Sequence, residues 1–128
     1  MAQINCFREL EVYQVAFERA MDVFELSKAF PREETYSLTD QIRRCSRSVC
    51  SNIAEAWRKR RYPAHFESKL TDAQTEAEET RVWLQFASRC KYMERERAIE
   101  LDREYDAILG RLVKMCNDLD HWTIPKKR

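Results

Sequence analysis

The residues with the clearest chemical potential are arginines. Between Gln41 and Tyr62 the chain places seven basic residues, Arg43, Arg44, Arg47, Arg58, Lys59, Arg60 and Arg61, against one acid, Glu55. On a helical wheel with Ile42 at the origin and about 100° per residue, Val49, Ile53 and Ala56 fall on the Ile42 side, whereas Arg43, Arg47, Arg58 and Arg61 fall between about 100° and 160°. This spacing predicts one basic stripe on the solvent side of a helix, with Arg44 at its edge and Trp57 and Tyr62 beside its densest part. Guanidinium groups in such a row suit phosphate backbones, and flanking aromatics suit stacked bases or guanidinium planes. The same run also reads as an ordinary solvated face, and Trp57 as a packing residue.

A second stripe on this helix is small and polar. Ser48, Asn52 and Glu55 fall between about 220° and 280° on the same wheel, where they would either let another helix approach closely or face solvent. Further along, Trp83, Leu84 and Phe86 give the third segment an apolar surface wider than one stripe, and Val12, Val15 and Val23 do the same for the first. Apolar residues on several sides of a helix exceed what a small bundle can bury, so Trp57, Trp83 and Phe86 join Ser48, Asn52 and Glu55 as candidate oligomer-interface or helix-packing residues.

Catalytic and metal-binding chemistry finds no comparable support. The two histidines, His65 and His121, lie far from each other and from any cysteine at ligand spacing. Cys45 and Cys50 sit about 140° apart on a helix and cannot share a ligand. No base is placed beside Cys50 or Cys90 to make a nucleophile. Bundle di-iron sites use Glu-x-x-His pairs, and the nearest approximation is a lone Asp118–His121 pair. The expectation is a protein that is not an enzyme and needs no metal or cofactor.

These side chains must be carried by helices. One glycine and three prolines in 128 residues leave too few turn formers for an all-β chain and no glycine loop for phosphate binding. Pro31, Pro63 and Pro125 mark segment edges, dividing the chain into helices at about 7–29, 36–61, 63–91 and 95–120, with 121–128 as a tail. The predicted seams are Leu10, Tyr13, Phe17, Ala20 and Phe24; Leu38, Ile42, Cys45, Val49, Ile53 and Ala56; Phe66, Leu70, Ala73, Ala77, Leu84 and Ala87; and Leu101, Tyr105, Ile108, Leu112, Met115 and Leu119. Four such stripes predict an all-α, antiparallel up-down-up-down four-helix bundle forming one domain over 1–128. Gly110 inside the fourth helix suggests close approach by a neighbour.

Charge is balanced in sum and uneven in place. The net charge is +1, yet residues 95–120 hold seven acids and five bases, so the fourth helix is acidic where the second is basic. Five cysteines without close pairing fit a reducing compartment. No apolar run approaches the ~20 residues of a membrane span, and Met1 to Phe7 lacks a signal pattern, so a cytoplasmic location is expected.

The stretch Gln41-Ile-Arg-Arg-Cys-Ser-Arg-Ser-Val-Cys-Ser-Asn-Ile-Ala-Glu resembles the Q-x-R-R…S-[IV]-x-x-N-I-A-E block of the four-helix 23S rRNA intervening-sequence proteins. The flanks agree: Phe7-Arg-Glu-Leu-Glu-Val-Tyr resembles the family's F-x-x-L-x-V-W opening, and Phe30-Pro-Arg-Glu-Glu-Thr-Tyr-Ser-Leu its F-P-x-x-E-x-Y-x-L turn. The sequence departs from the family at Ala56-Trp57, where a glycine is usual, and at Gln74-Thr75, where Gly-Ser is usual. The resemblance implies a bundle assembled as a homopentamer, akin to accessory proteins of diversity-generating retroelements, which partner a reverse transcriptase and RNA. The expectation is a homo-oligomer binding RNA or DNA through the second helix. The alternative is a scaffold whose basic face serves an acidic protein partner or the oligomer itself.

Overall fold

A computed structural model describes residues 3–125. Its helices are α1 (Glu11–Ser27), α2 (Leu38–Arg58), α3 (Pro63–Arg89), α4 (Arg95–Cys116) and the short α5 (Leu119–Trp122), with single 3-10 turns at Phe7–Glu9 and Arg32–Glu34. The described residues contain no strand. Pro63 opens α3 with its φ already helical, and Tyr62 before it is extended at φ −124°, so the chain breaks there instead of kinking.

Helix ends fall inside the predicted bounds, for local reasons. Leu10 is extended at ψ 125° and 2% exposed, so the first helix starts after this anchor and not at residue 7. At φ −95° and ψ 13°, Lys59 leaves helical geometry and ends α2. Asn117 and Asp118 interrupt the fourth helix, which predicts as continuous to 120.

The helices pack α1 on α2, α2 on α3, α3 on α4 and α4 on α1, around a core whose largest members are Tyr105, Phe66, Ile42, Ile53 and Leu70. The predicted seams of α2 and α3 are buried at every position, and that of α4 from Leu101 to Met115. The seam of α1 is only partly the predicted one. Leu10 and Ala20 are buried as expected, but Val12, Ala16, Val23 and Ser27 complete the inward face, leaving Tyr13 and Phe24 half-buried and Phe17 45% exposed. Small side chains let α1 lie close to its neighbours, and the aromatic row is displaced towards solvent.

Two junctions carry unexpected devices. Lys91 is left-handed at φ 63°, and Tyr92 N donates to Ala87 O at 2.9 Å while Lys91 N donates to Ser88 O at 3.0 Å. This is the Schellman termination of α3, with lysine where glycine is favoured. Ahead of α2, the Glu34 carboxylate accepts from the Ser37 hydroxyl, the Leu38 amide and the Tyr92 hydroxyl, the last at 2.9 Å. Those hydrogen bonds hold its pKa below the usual carboxylate value. Gly110, by contrast, faces open space, with nothing within 4 Å of the position a Cβ would take, so no helix approaches it within the chain.

Most ion pairs between helices involve α4. Arg81 bonds Asp102 at 2.9 Å and Asp106 at 3.2 Å, Arg19 bonds Glu104 at 2.8 Å, and Arg97 pairs with Asp22 of α1 as well as with Glu100 of its own helix, while Lys69 of α3 bonds Glu55 of α2 at 3.2 Å. No helix among the described residues is long and apolar enough to cross a membrane.

Candidate nucleic-acid interface

The amphipathic pattern of α2 buries Ile42, Val49 and Ile53 and thereby turns Arg44, Arg47 and Arg58 outward, where all three are exposed. Ser51 and Glu55 lie between them, also exposed, and Arg47 and Arg58 are separated by about 16 Å along the helix at ~1.5 Å per residue. Lys59 and Arg61 are exposed in the turn after α2. Among the described residues none of these five cations forms an ion pair.

Two of the seven basic residues are placed differently from the predicted stripe. Arg43 is half-buried against α1: its Nε donates to Ser27 Oγ at 2.7 Å and its guanidinium lies 4.9 Å from the Phe24 ring centre. Arg60 folds over Trp57 at 3.4 Å and donates from Nε to Trp57 O at 2.9 Å. Burial, and then the nearby charge of Arg58, lower the Arg60 pKa. Arg61 is exposed as expected, but in the turn after α2 and not on the helix, which ends at Arg58.

The small polar stripe faces α3 inside the chain. Asn52 is buried and donates to Ser48 O at 2.9 Å and to Ser48 Oγ at 3.2 Å, and Glu55 pairs with Lys69 of α3 at 3.2 Å. Next to them, Arg44 and Arg47 line a shallow groove of about 470 Å³ shared with Glu76 and Glu79. Burial foremost, then the neighbouring Glu79 charge, raises the Glu76 pKa, and Arg44 opposes the rise. The basic face of α2 is therefore asymmetric. Carboxylates border it on the α3 side, whereas the α1 side offers aromatic rings.

Trp57 is half-buried against the core and already stacked by Arg60, whereas Tyr62 is 55% exposed. Trp83 is half-buried with its Nε1 lacking a partner among the described residues, and Phe86 beside it is 53% exposed. Together with Glu34, Tyr36 and Cys90 they border a depression of about 570 Å³.

The thiols and imidazoles form no reactive constellation. Burial pushes Cys45 and Cys50 up to about 11, far from thiolate formation at neutral pH, and the Thr80 hydroxyl donates to Cys45 Sγ at 3.1 Å. His65 and His121 are both exposed, packing against Tyr62 and Trp122 respectively. No group of three or more His, Cys, Asp or Glu among the described residues could hold a metal ion.

Sequence reasoning gave Glu34 no role beyond its place in the F-P-x-x-E-x-Y-x-L turn, and it missed the outward turn of Phe17. Glu34 stands three residues before the N-cap Ser37, the reverse of the capping-box order, so no helix-entry signature points to it. Nothing in the sequence separated two overlapping seams on α1, since both satisfy a helical period.

The architecture has relatives. The family model described as "23S rRNA-intervening sequence protein" matches residues 8–114. The crystal structure of a protein of unknown function from the S23 ribosomal protein family of Bacteroides thetaiotaomicron superposes with a TM-score of 0.74 at 29% identity, covering 82% of this chain and 97% of that one. No curated protein sequence matches significantly. With most of its length matched, this chain belongs to the 23S rRNA-intervening sequence protein family.

Proposed function

We propose that this protein is a homo-oligomeric, non-catalytic module that binds RNA or DNA through Arg44, Arg47 and Arg58 of α2 together with Lys59 and Arg61. Its bundle runs up-down-up-down, a course supported by the short α2–α3 turn and by the pairing of α4 with α1. One observation carries the functional reading: five exposed cations on one helix and its following turn lack carboxylate partners among the described residues. The rival use of these cations, as sockets for a neighbour's acidic α4, has less to work with. Asp102, Asp106, Glu104 and Glu100 are occupied by Arg81, Arg19 and Arg97 of the same chain.

Exposed Tyr36, Val82, Phe86, Ile99 and Val113 support self-association, and repetition around an oligomer multiplies a weak phosphate site into an avid one. The five free cysteines support a reducing, cytoplasmic setting.

Titration of labelled RNA and duplex DNA at several salt concentrations tests the reading. With about four phosphates engaged per subunit, log affinity falls against log salt with a slope near −3 to −4, and R44E/R47E/R58E abolishes binding without changing the native mass. Absence of binding, or an affinity flat in salt, overturns the proposal. Dissociation of the oligomer in the charge-reversed variant, with no nucleic-acid binding by the parent, establishes the scaffold role instead.

A further inference from the structure

The α1–α2 groove is an aromatic channel beside the basic face. It encloses about 380 Å³, and no carboxylate lines it. Tyr13, Phe17, Met21 and Phe24 form its α1 wall, Phe7 closes one end, and Arg47 stands on the α2 rim. The rings make a ladder: Phe7 meets Tyr13 edge-on at 4.9 Å, and Tyr13 lies 6.1 Å from Phe17. Phe17 and Met21 are 45% and 43% exposed, an unusual display of apolar surface on a helix whose smaller residues are the ones buried.

Cations bracket the ladder. Arg8 sits 4.6 Å from the Phe7 ring centre, and Lys28, Arg43 and Arg47 lie 4.8, 4.9 and 5.6 Å from that of Phe24. Lys28 is also paired with Glu25, and Arg43 is tied to Ser27, so at the Phe24 end Arg47 is the cation available to an incoming anion, with the exposed Arg8 at the Phe7 end. An uncharged apolar peptide would fill the groove but bring nothing for Arg47, and a second copy could answer it only by setting a carboxylate beside its apolar contact. A nucleic-acid strand supplies both parts, flat π-faces for the rings and a phosphate beside each base. Only an unpaired strand can present those faces, because in a duplex they are stacked inside the helix.

We infer that the groove between α1 and α2 is a base-stacking channel for single-stranded RNA or DNA, with Phe17 as its central platform and Arg47 as the phosphate contact. The inference rests on the nucleic-acid reading above and narrows its ligand from any polyanion to unpaired strands.

Fluorescence anisotropy with a labelled oligo-dT and a duplex of equal length tests it on the full chain. The unpaired strand should bind about tenfold more tightly or better. Phe17→Ala should weaken that binding about tenfold, the scale of one lost base–aromatic stack, and leave duplex affinity and its salt slope unchanged. Phe17→Trp should retain binding, its added indole emission quenched by oligo-dT but not by duplex. The exposure of Phe17 keeps these variants folded, and Met21→Ala gives an independent probe of the same wall.

Equal affinity for both forms, insensitive to Phe17→Ala and Met21→Ala, overturns the channel while leaving the arginine surface standing. Failure to bind either form overturns both. A change in native mass with Phe17→Ala, at unchanged strand affinity, assigns the groove to contact between copies and overturns the inference.

Discussion

Gly110 and Lys91 occupy each other's natural positions. Gly110 lies within regular helix with open space around it, where glycine costs about 1 kcal/mol relative to alanine. Lys91 holds the left-handed turn that ends α3, at φ 63°, where a Cβ costs roughly 1–2 kcal/mol and glycine is free of that penalty. Gly110→Ala and Lys91→Gly should therefore each stabilise the fold by about 1 kcal/mol, additively because they lie on separate elements. Thermal or urea unfolding of the two single variants and the double measures this. Destabilisation by Gly110→Ala in the native protein would place a neighbouring copy against α4, the close approach that the chain itself does not make.

At the scale of elements, legibility followed the size of the buried side chains. The seams of α2 and α4 are built largely on Ile, Val, Leu and Tyr, and that of α3 on Phe66, Leu70 and Leu84 with alanines between them, and burial coincides with the hydrophobic pattern. In α1 the most hydrophobic-looking row, Tyr13, Phe17 and Phe24, is the outer one, and the seam is Val12, Ala16, Ala20 and Val23. Periodicity reports that a helix has an apolar stripe. When two stripes of different bulk adjoin, the width of the gap between neighbouring helices decides which enters, and no single sequence encodes that gap locally. The basic residues show the same limit: Arg44, Arg47 and Arg58 were placed correctly by the wheel, whereas Arg43 found Ser27 and Phe24 on another helix. The reversal has a mechanical consequence. Ala16 is fully buried, so Ala16→Leu should destabilise by about 1–3 kcal/mol through overpacking. Phe17→Ala should cost less than that, since nearly half of the residue is already solvated. Urea midpoints of the two variants check the order, and the opposite order would restore the aromatic seam.

For the whole molecule, the near-zero net charge conceals a division of labour. Asp102, Glu104 and Asp106 of α4 are engaged by Arg81 and Arg19, and Arg97 of α4 reaches Asp22 of α1, so these charges tie helices together while the bases of α2 and its following turn are left for the outside. Because the fold relies on a core containing two protonated thiols, its stability should fail at alkaline pH. Cys45 and Cys50, 2% and 8% exposed, are raised by burial from 9.0 to about 11. In the unfolded chain both ionise near 9, while in the folded protein both keep their protons until about 11, so above pH 9 the unfolded state binds fewer protons. Stability is therefore complete below pH 9 and falls through the interval to 11, each thiol contributing up to about 1.4 kcal/mol per pH unit. The buried Tyr105 hydroxyl, raised likewise by burial, adds to the loss at higher pH. Two thiols together can remove several kcal/mol, a large share of the roughly 5–15 kcal/mol that holds a typical domain. Urea midpoints under reducing conditions should be level between pH 7 and 8.5 and then drop steeply to pH 11. The Cys45→Ala/Cys50→Ala variant starts lower, because it loses packing, but should show a markedly shallower alkaline decline. Parallel curves for the two proteins would mean that the thiols do not govern the transition, and would shift the alkaline limit to the tyrosines, foremost the buried Tyr105.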